Sequence, residues 1–454
     1  MAMTRRDALM TALFGTVVSP LVAERAMARA VGLSGFGLDA TQLGLKPGLP
    51  DDQSRVLGAA LIEAAKRQQP LILPPGRYHV AGVALPDGAR LIGVPGVTQL
   101  VSARPGPILV ASGMKRVSLS GLVLDGLMLR QNEGVALLTI EDVAEASFDD
   151  MVFQNAGAVG LKLTRSGGRI ERSKFMMMKD IGLFSMDALG LSVEGNNVED
   201  CGNNGIQIWR STPGDDGTIL RGNRIARIRN DSVGNGQYGN GISIFRAGGV
   251  IAEGNSLRDC AYTFIRNNGG SGVQMLGNNG QRCGEVGLYS EFAFEGCIIS
   301  SNRVEDVAQG ISITNLDQGG RLAVCSGNLV RRARSGLAPK GNEIIGGMGI
   351  HVEAEAAVTG NVVESISDVG LSLGWSWAMR NIVATGNMIR DTGIGIGVSL
   401  VPKERNVVIA NNVIAQARKG AVVGTEYGKA VTGDLTLTAD KRAHGVRVEG
   451  NSVG

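Results

Sequence analysis

Four stretches decide the fold of this chain: Val193-Glu194-Gly195-Asn196-Asn197-Val198, Leu220-Arg221-Gly222-Asn223-Arg224-Ile225, Ala252-Glu253-Gly254-Asn255-Ser256-Leu257 and Met275-Leu276-Gly277-Asn278-Asn279-Gly280. The same unit returns at Asn302, Asn328, Asn361, Asn387 and Asn412, at intervals of 27, 32, 23, 24, 26, 33, 26 and 25 residues from Asn196 onward. Backwards from Asn196, Ser173 and Asp150 fall at two further steps of 23. Seven of the nine asparagines follow a glycine, and Ser301 and Asn411 fill the other two slots. A period this short means stacked coils, each too small to fold alone.

Residue type depends on offset from each register asparagine. Three residues before it stand Val193, Leu220, Ala252, Met275, Ile299, Cys325, Val358, Ala384 and Ile409; two after it stand Val198, Ile225, Leu257, Gly280, Val304, Val330, Val363, Ile389 and Ile414. Apolar residues spaced by two read as strand, with one face inward. Gly-Asn turns the corner, because glycine accepts positive φ and asparagine tolerates the left-handed region. A second strand recurs in each coil, as in Gly205-Ile206-Gln207-Ile208, Gly241-Ile242-Ser243-Ile244, Gly310-Ile311-Ser312-Ile313 and Gly370-Leu371-Ser372-Leu373. The 67 glycines argue against a helical repeat. The expected architecture is all-β: a parallel β-helix whose coils lie about 4.8 Å apart. Four residues past the register position, Asp200, Arg227, Asp259, Arg282, Asp306 and Arg332 alternate in sign, as neighbours in a parallel stack should.

The chain starts Thr4-Arg5-Arg6-Asp7, followed by an apolar run over 8–23 and Ala26-Met27-Ala28. This pattern predicts a signal peptide over 1–28 that uses the twin-arginine translocase, and so a periplasmic or secreted protein. At about 16 residues, the run is short for a membrane span. Without 1–28 the chain keeps 42 basic and 40 acidic residues, a balance that gives no reason to expect nucleic acid. Residues 29–110 are expected to hold a linker, a capping helix and the first strands, and 111–454 the coils. The helix reads from Asp51 to Arg67, with Val56, Leu57, Ala60, Leu61 and Ala64 on one face. The last coil is capped either by 421–444 or by a second copy of the chain.

The acidic-start helix followed by Leu73-Pro74-Pro75-Gly76-Arg77-Tyr78 resembles the opening segment of right-handed parallel β-helix proteins of the pectate-lyase-like superfamily. The Gly-Asn coils are similar to that superfamily's asparagine ladder. Signal and repeats together resemble a bacterial family of twin-arginine-exported repeat proteins. The resemblance covers about residues 45–454 and is specific for the fold, since the superfamily includes lyases, hydrolases, epimerases and non-catalytic adhesins. Of the polygalacturonase-type motifs only Asp-Asp pairs occur here, Asp149-Asp150 at a register turn. There is no Gly-His-Gly, and no calcium-and-arginine signature of the pectate lyases.

The Gly-Ile-x-Ile strand carries the candidate site. Aligned on its first aliphatic, Ile206 to Arg210, Ile242 to Arg246 and Tyr262 to Arg266 bring Arg210, Arg246 and Arg266 into one row of like charge, with Asn315 and Trp375 at the same offset farther along. An acidic polysaccharide would relieve such a row, and arginine suits carboxylates; alternatively the loop acids Asp215, Asp216 and Asp231 pair with it. Trp209, Phe245, Trp375 and Trp377 lie on or just past this strand and could stack on sugars or pack under loops. Glu291 and Glu353 share one outward offset two coils apart, with Tyr289 and His351 nearby. They read either as an acid/base pair or as solvated surface carboxylates. In a lyase, Arg246, Arg266 or Tyr289 would serve as base. Insertions at 211–217, 229–240, 334–348 and 421–444 wall this face, the second offering Asn235, Tyr238 and Asn240. Cys201, Cys260 and Cys283 share an inward offset and read as core, with a Cys260–Cys283 disulfide left open. Their spacing fits no metal site, and no cofactor is expected. The candidate functions are an enzyme acting on an acidic polysaccharide, a non-catalytic glycan binder, and a structural or adhesive solenoid.

Overall fold

The computed structural model describes residues 37–234, 236–314, 321–337, 346–403 and 405–454. The signal segment 1–28, Asn235 and Asn315 lie outside the described residues. The chain forms a parallel β-solenoid of about 13 turns. Each repeating coil contributes three strands, where the repeat shows at least two. The strand before the register asparagine (Leu191–Glu194, Ile219–Arg221, Ile251–Glu253, Val273–Leu276) builds a first sheet. The strand after it (Asn197–Cys201, Arg224–Ile228, Ser256–Cys260, Asn279–Cys283) builds a second. The Gly-Ile-x-Ile strand (Ile181–Met186, Asn204–Asp215, Ile242–Gly248, Ile265–Asn268, Val286–Glu291, Gln309–Ile313, Met348–Val352) builds a third. Pairing within each is parallel. Strands on both sides of residue 110 belong to the same stack, as Leu91 opposite Leu119 shows.

At the corner between the first two sheets glycine takes the positive φ as expected, but the register asparagine does not enter the left-handed region. Positive φ belongs to the residue before the asparagine: Gly195 at 65°, Gly222 at 63°, Gly254 at 63°, with Ser301 at 60° and Asn411 at 54° in the two exceptional slots. The asparagine itself is buried at 0–2 % exposure from Asn196 to Asn412. Its Oδ1 accepts from both the backbone N–H and the side-chain Nδ2 of the preceding asparagine, at 3.0 and 3.0 Å for Asn196 on Asn223. The Asn223 Nδ2 also donates to the Val193 carbonyl at 2.9 Å. This ladder runs from the Ser173 N–H to Asn451, one step past the repeat as read from sequence. It satisfies buried amides that a bare corner would leave unpaired.

A second left-handed position follows four residues later, and charged residues occupy it: Asp200 at 57°, Arg227 at 54°, Asp259 at 55°, Arg282 at 63°, Asp306 at 56° and Arg332 at 55°. They pair in twos, Arg227 with Asp200 at 2.7 Å, Arg282 with Asp259 at 2.6 Å and Arg332 with Asp306 at 2.7 Å. These pairs are solvent-facing and each contributes under about 1 kcal/mol; they report register more than they hold the fold.

The helix α1, Ser54–Lys66, buries Leu57, Ala60, Leu61 and Ala64 in the same core as the solenoid interior. At the other end, Lys429–Asp434 pairs antiparallel with Val422–Glu426, while Val431, Leu435 and Ala443 pack on the core. All five cysteines are buried free thiols, and Cys260 and Cys283 face each other across the second sheet without a bond.

Candidate functional site

The third sheet turns alternate side chains outward, and the pairing sets them in rows. One row runs Phe184, Gln207, Ser243, Arg266, Tyr289, Ser312, His351, Ser372. The row beside it runs Met186, Trp209, Phe245, Asn268, Glu291.

This register corrects the expected arginine row. Ile265, not Tyr262, lies opposite Ile242, so Arg266 stands beside Ser243 rather than beside Arg246. The cause is in the core. Phe264 is fully buried, and its ring reaches to 2.3 Å from where a Cβ on Gly280 would lie. Gly280 is the one glycine in a slot otherwise filled by Val, Ile and Leu, and the space it leaves admits the phenyl ring. With Phe264 taken inward, the strand starts at Ile265, three residues past the Tyr262 expected from the motif.

Arg266 is part of a nearly inaccessible network. Its Nε donates to Glu291 Oε1 at 2.7 Å, its Nη1 lies 3.6 Å from Glu285 Oε2, and the same Nη1 donates to the Gly236 carbonyl at 2.6 Å. Side-chain exposures are 13 % for the arginine and 1 and 2 % for the two glutamates. Tyr289 lies beneath the guanidinium at 5.1 Å from ring centroid to Cζ. Burial pushes its phenol well above the ordinary value, with Glu291 adding to the shift and Arg266 opposing it. A phenol raised in this way keeps its proton at neutral pH and suits donation better than base catalysis.

Arg210 and Arg246 remain neighbours, each one residue past a paired aromatic, Trp209 and Phe245. Arg210 Nη1 donates to the backbone carbonyl of Asp215 at 2.9 Å, and Arg246 Nη1 to that of Ser211 at 3.1 Å. Asp231 pairs with Arg229 and the Asp216 carboxylate accepts from Thr218. Among the described residues neither arginine forms a salt bridge, although burial raises the Asp216 carboxyl and Arg210 is close enough to lower it. Arg246 also lies 4.6 Å over the Phe245 ring.

Glu291 and Glu353 do share an outward row, but as buried groups at 2 and 5 % exposure, not as solvated carboxylates. His351 lies 3.5 Å from Glu353 through Nε2 and 3.0 Å from the Ser372 hydroxyl through Nδ1. The half-buried Trp375 sets its ring edge-on to His351 at 6.5 Å, while Trp377 is 65 % exposed. These two rings stand apart from the Trp209 group.

Two adjoining clefts open on this face and share Trp209. The first, about 390 Å³, is lined by Lys162, Asp180, Phe184, Gln207, Trp209 and Tyr238, with Glu133 at its edge. The second, about 440 Å³, is lined by Trp209, Ser243, Phe245, Arg266, Asn268 and Phe292. The inserted loop 229–240 contributes to both, Tyr238 to the first and Gly236 to the second. Tyr262, buried, holds that loop from below by donating to the Gly234 carbonyl at 2.6 Å. Phe184, Trp209 and Phe245 form a column through the clefts, with centroids 5.9 and 5.5 Å apart. Trp209 Nε1 is fixed by the Ser243 hydroxyl at 3.1 Å.

Phe184, Lys162, Asp180 and Glu133 escaped notice as site residues. The signal for Phe184 was present in Gly182-Leu183-Phe184-Ser185, a variant of the same strand motif. Of the two acids of the first cleft, Glu133 and Asp180, Asp180 is the more buried. Burial raises its carboxyl above the ordinary range, the Asn203 amide at 2.7 Å pulls it back, and Glu133 raises it further. The Tyr238 phenol is raised by burial and by the same two carboxylates.

No protein-family model and no curated protein sequence matches the chain. Among solved structures, the N-terminal fragment of bacteriophage phi29 gene product 12 superposes with a TM-score of 0.54 at 12 % identity, over 88 % of this chain and 71 % of that one. The A-module of the Azotobacter vinelandii mannuronan C-5 epimerase AlgE6 gives 0.40 at 13 %, over 92 % and 99 %. The catalytic unit of a GH87 α-1,3-glucanase from Streptomyces thermodiastaticus gives 0.46 at 13 %, over 92 % and 69 %. At these identities the likeness is one of fold, which in this architecture does not carry an activity with it.

Proposed function

We propose that this protein is exported by the twin-arginine translocase and binds a polysaccharide lengthwise along the outer face of the third sheet, in the periplasm or outside the cell. The observation that carries this reading is the column of Phe184, Trp209 and Phe245 running through two adjoining clefts under one inserted loop. Ring faces stack on the apolar faces of sugars, and coils about 4.8 Å apart offer a repeat along which an extended chain can lie. An acidic polymer fits best, since Arg210 and Arg246 form no salt bridge among the described residues, donating instead to backbone carbonyls, and Lys162 lines the first cleft. Arg266 is withdrawn from this role, being already neutralised by two glutamates.

A second reading, chemical modification of the bound chain, is favoured by Asp180. A carboxyl that keeps its proton above the ordinary range, in a cleft beside a second carboxylate, is suited to protonating a leaving oxygen. The buried Glu285–Arg266–Glu291 network is worse placed to act, because both carboxylates are engaged. The third reading, a structural or adhesive solenoid able to self-associate, predicts no effect of cleft substitutions on glycan binding.

The test is titration of the mature protein with an oligouronate. Trp209→Ala and Arg246→Ala should each weaken binding by about tenfold or more, whereas Arg331→Ala, on the second sheet, should not. Equal effects from all three would remove the groove. Release of reducing ends or unsaturated products from a uronate polymer, lost in Asp180→Asn while binding persists, would establish modification over simple binding.

A further inference from the structure

Farther along the third sheet, three outward side chains whose chemistry does not depend on glycan binding come together. Ser372 and His351 are opposite one another on adjacent strands, and Glu353 follows two residues after His351, one residue past the end of its strand at Val352. Ser372 Oγ lies 3.0 Å from His351 Nδ1, and His351 Nε2 lies 3.5 Å from Glu353 Oε1. All three are nearly buried, at 7, 6 and 5 % exposure. With the carboxylate facing Nε2, the ring carries its proton there, and the Nδ1 lone pair faces the serine hydroxyl. Trp375, edge-on to the ring, restricts its rotation. Leu371 and Leu373 anchor the serine from inside the core.

On the next coil the position opposite Ser372 is Gly397. A Cβ there would lie 3.3 Å from Val369 Cγ1 and 3.5 Å from Thr425 Cγ2. Gly397 therefore sets no side chain opposite the serine from that coil, while Val369 and Thr425 crowd the place a Cβ would take.

We propose that Ser372, His351 and Glu353 form an ester-hydrolysing site that removes an acetyl-sized acyl group from an alcohol oxygen. Ser372 Oγ attacks the ester carbonyl and its proton passes to His351 Nδ1. The bond from the acyl carbon to the alcohol oxygen breaks, and the imidazolium returns the proton to the departing alkoxide. Water, deprotonated by His351, then cleaves the acyl-serine, releasing acetate and restoring the hydroxyl. Glu353 is a positioning residue: it sets the tautomer and stabilises the imidazolium, an effect strengthened by burial. The near-burial of all three groups favours a small acyl group over a long chain.

The test uses p-nitrophenyl acetate and a fluorophosphonate probe on the whole protein. The native protein should hydrolyse the ester, and mass spectrometry should place the phosphonyl adduct on Ser372. Ser372→Ala, which removes one hydroxyl and should keep the native melting temperature, should lower kcat/KM at least roughly a hundredfold and abolish the adduct. Glu353→Gln should lower kcat at unchanged KM. A p-nitrophenyl ester with an eight-carbon acyl chain should be turned over poorly. Hydrolysis unaffected by Ser372→Ala, an adduct elsewhere, or neither hydrolysis nor adduct in the native protein would overturn the proposal. None of these outcomes bears on glycan binding, which Trp209→Ala tests separately.

Discussion

At Asn278 one side chain serves three coils. It accepts from the Asn255 backbone N–H at 2.9 Å and from its Nδ2 at 3.0 Å, and it donates to the Ala252 carbonyl at 2.9 Å and to Asn302 at 3.0 Å. Asn278→Leu would leave the Asn255 donors buried without an acceptor, at about 1–3 kcal/mol for each orphaned group. Denaturant unfolding should register that loss, whereas Asp391→Ala, at an exposed corner, should change little. A second residue makes a pH-dependent contribution. Asp180 has its folded-state pKa raised, by burial first and by Glu133, so across that window the native state holds a proton that the unfolded chain has lost. Stability should therefore fall as pH rises from the ordinary carboxyl range through the raised value. Melting temperatures of Asp180→Asn should lack this decline and exceed wild type at neutral pH; a parallel decline in both would exclude Asp180 as its source.

Between elements, the loop 229–240 depends on Arg266. The guanidinium holds the Gly236 carbonyl from below and separates Glu285 from Glu291. Gly236 has φ of 102°, and a Cβ there would fall 1.9 Å from Arg266 Nη1, so the close approach requires glycine. Arg266→Met should leave two buried carboxylates unneutralised, costing about 3–5 kcal/mol. Amide exchange in 229–240 should rise more than in the asparagine ladder. Uniform protection across loop and ladder would show that the loop is held by other contacts. Arg266 also marks where the reading from sequence slipped. The strand motif aligned Tyr262 with Ile242 because spacing alone cannot tell a corner residue from a strand residue; the Phe264 ring in the space over Gly280 decided it.

At the scale of the whole molecule, the interior is one continuous stack, and its cysteines report on it. All five are buried, and burial pushes the Cys297 thiol up to about 11 and the Cys201 thiol higher. A thiol reagent at neutral pH should leave the native protein unmodified and label all five after denaturation. Rapid native labelling of Cys201, Cys260 and Cys283 together would place the second sheet inside out. The period, the inward offsets and the alternating charges were legible in the amino-acid sequence because each is a local pattern that every coil repeats, and the helix α1 was legible from its own apolar spacing. Tertiary structure alone decided the third strand of each coil, the withdrawal of Arg266 into a buried ion network, the clefts that join Phe184 and Asp180 to Trp209, and the meeting of Ser372 with His351. Those contacts join residues about 19 to 30 positions apart in the chain. Their geometry depends on how many residues each coil spends at its corners, a number set by core packing and not by any repeating pattern.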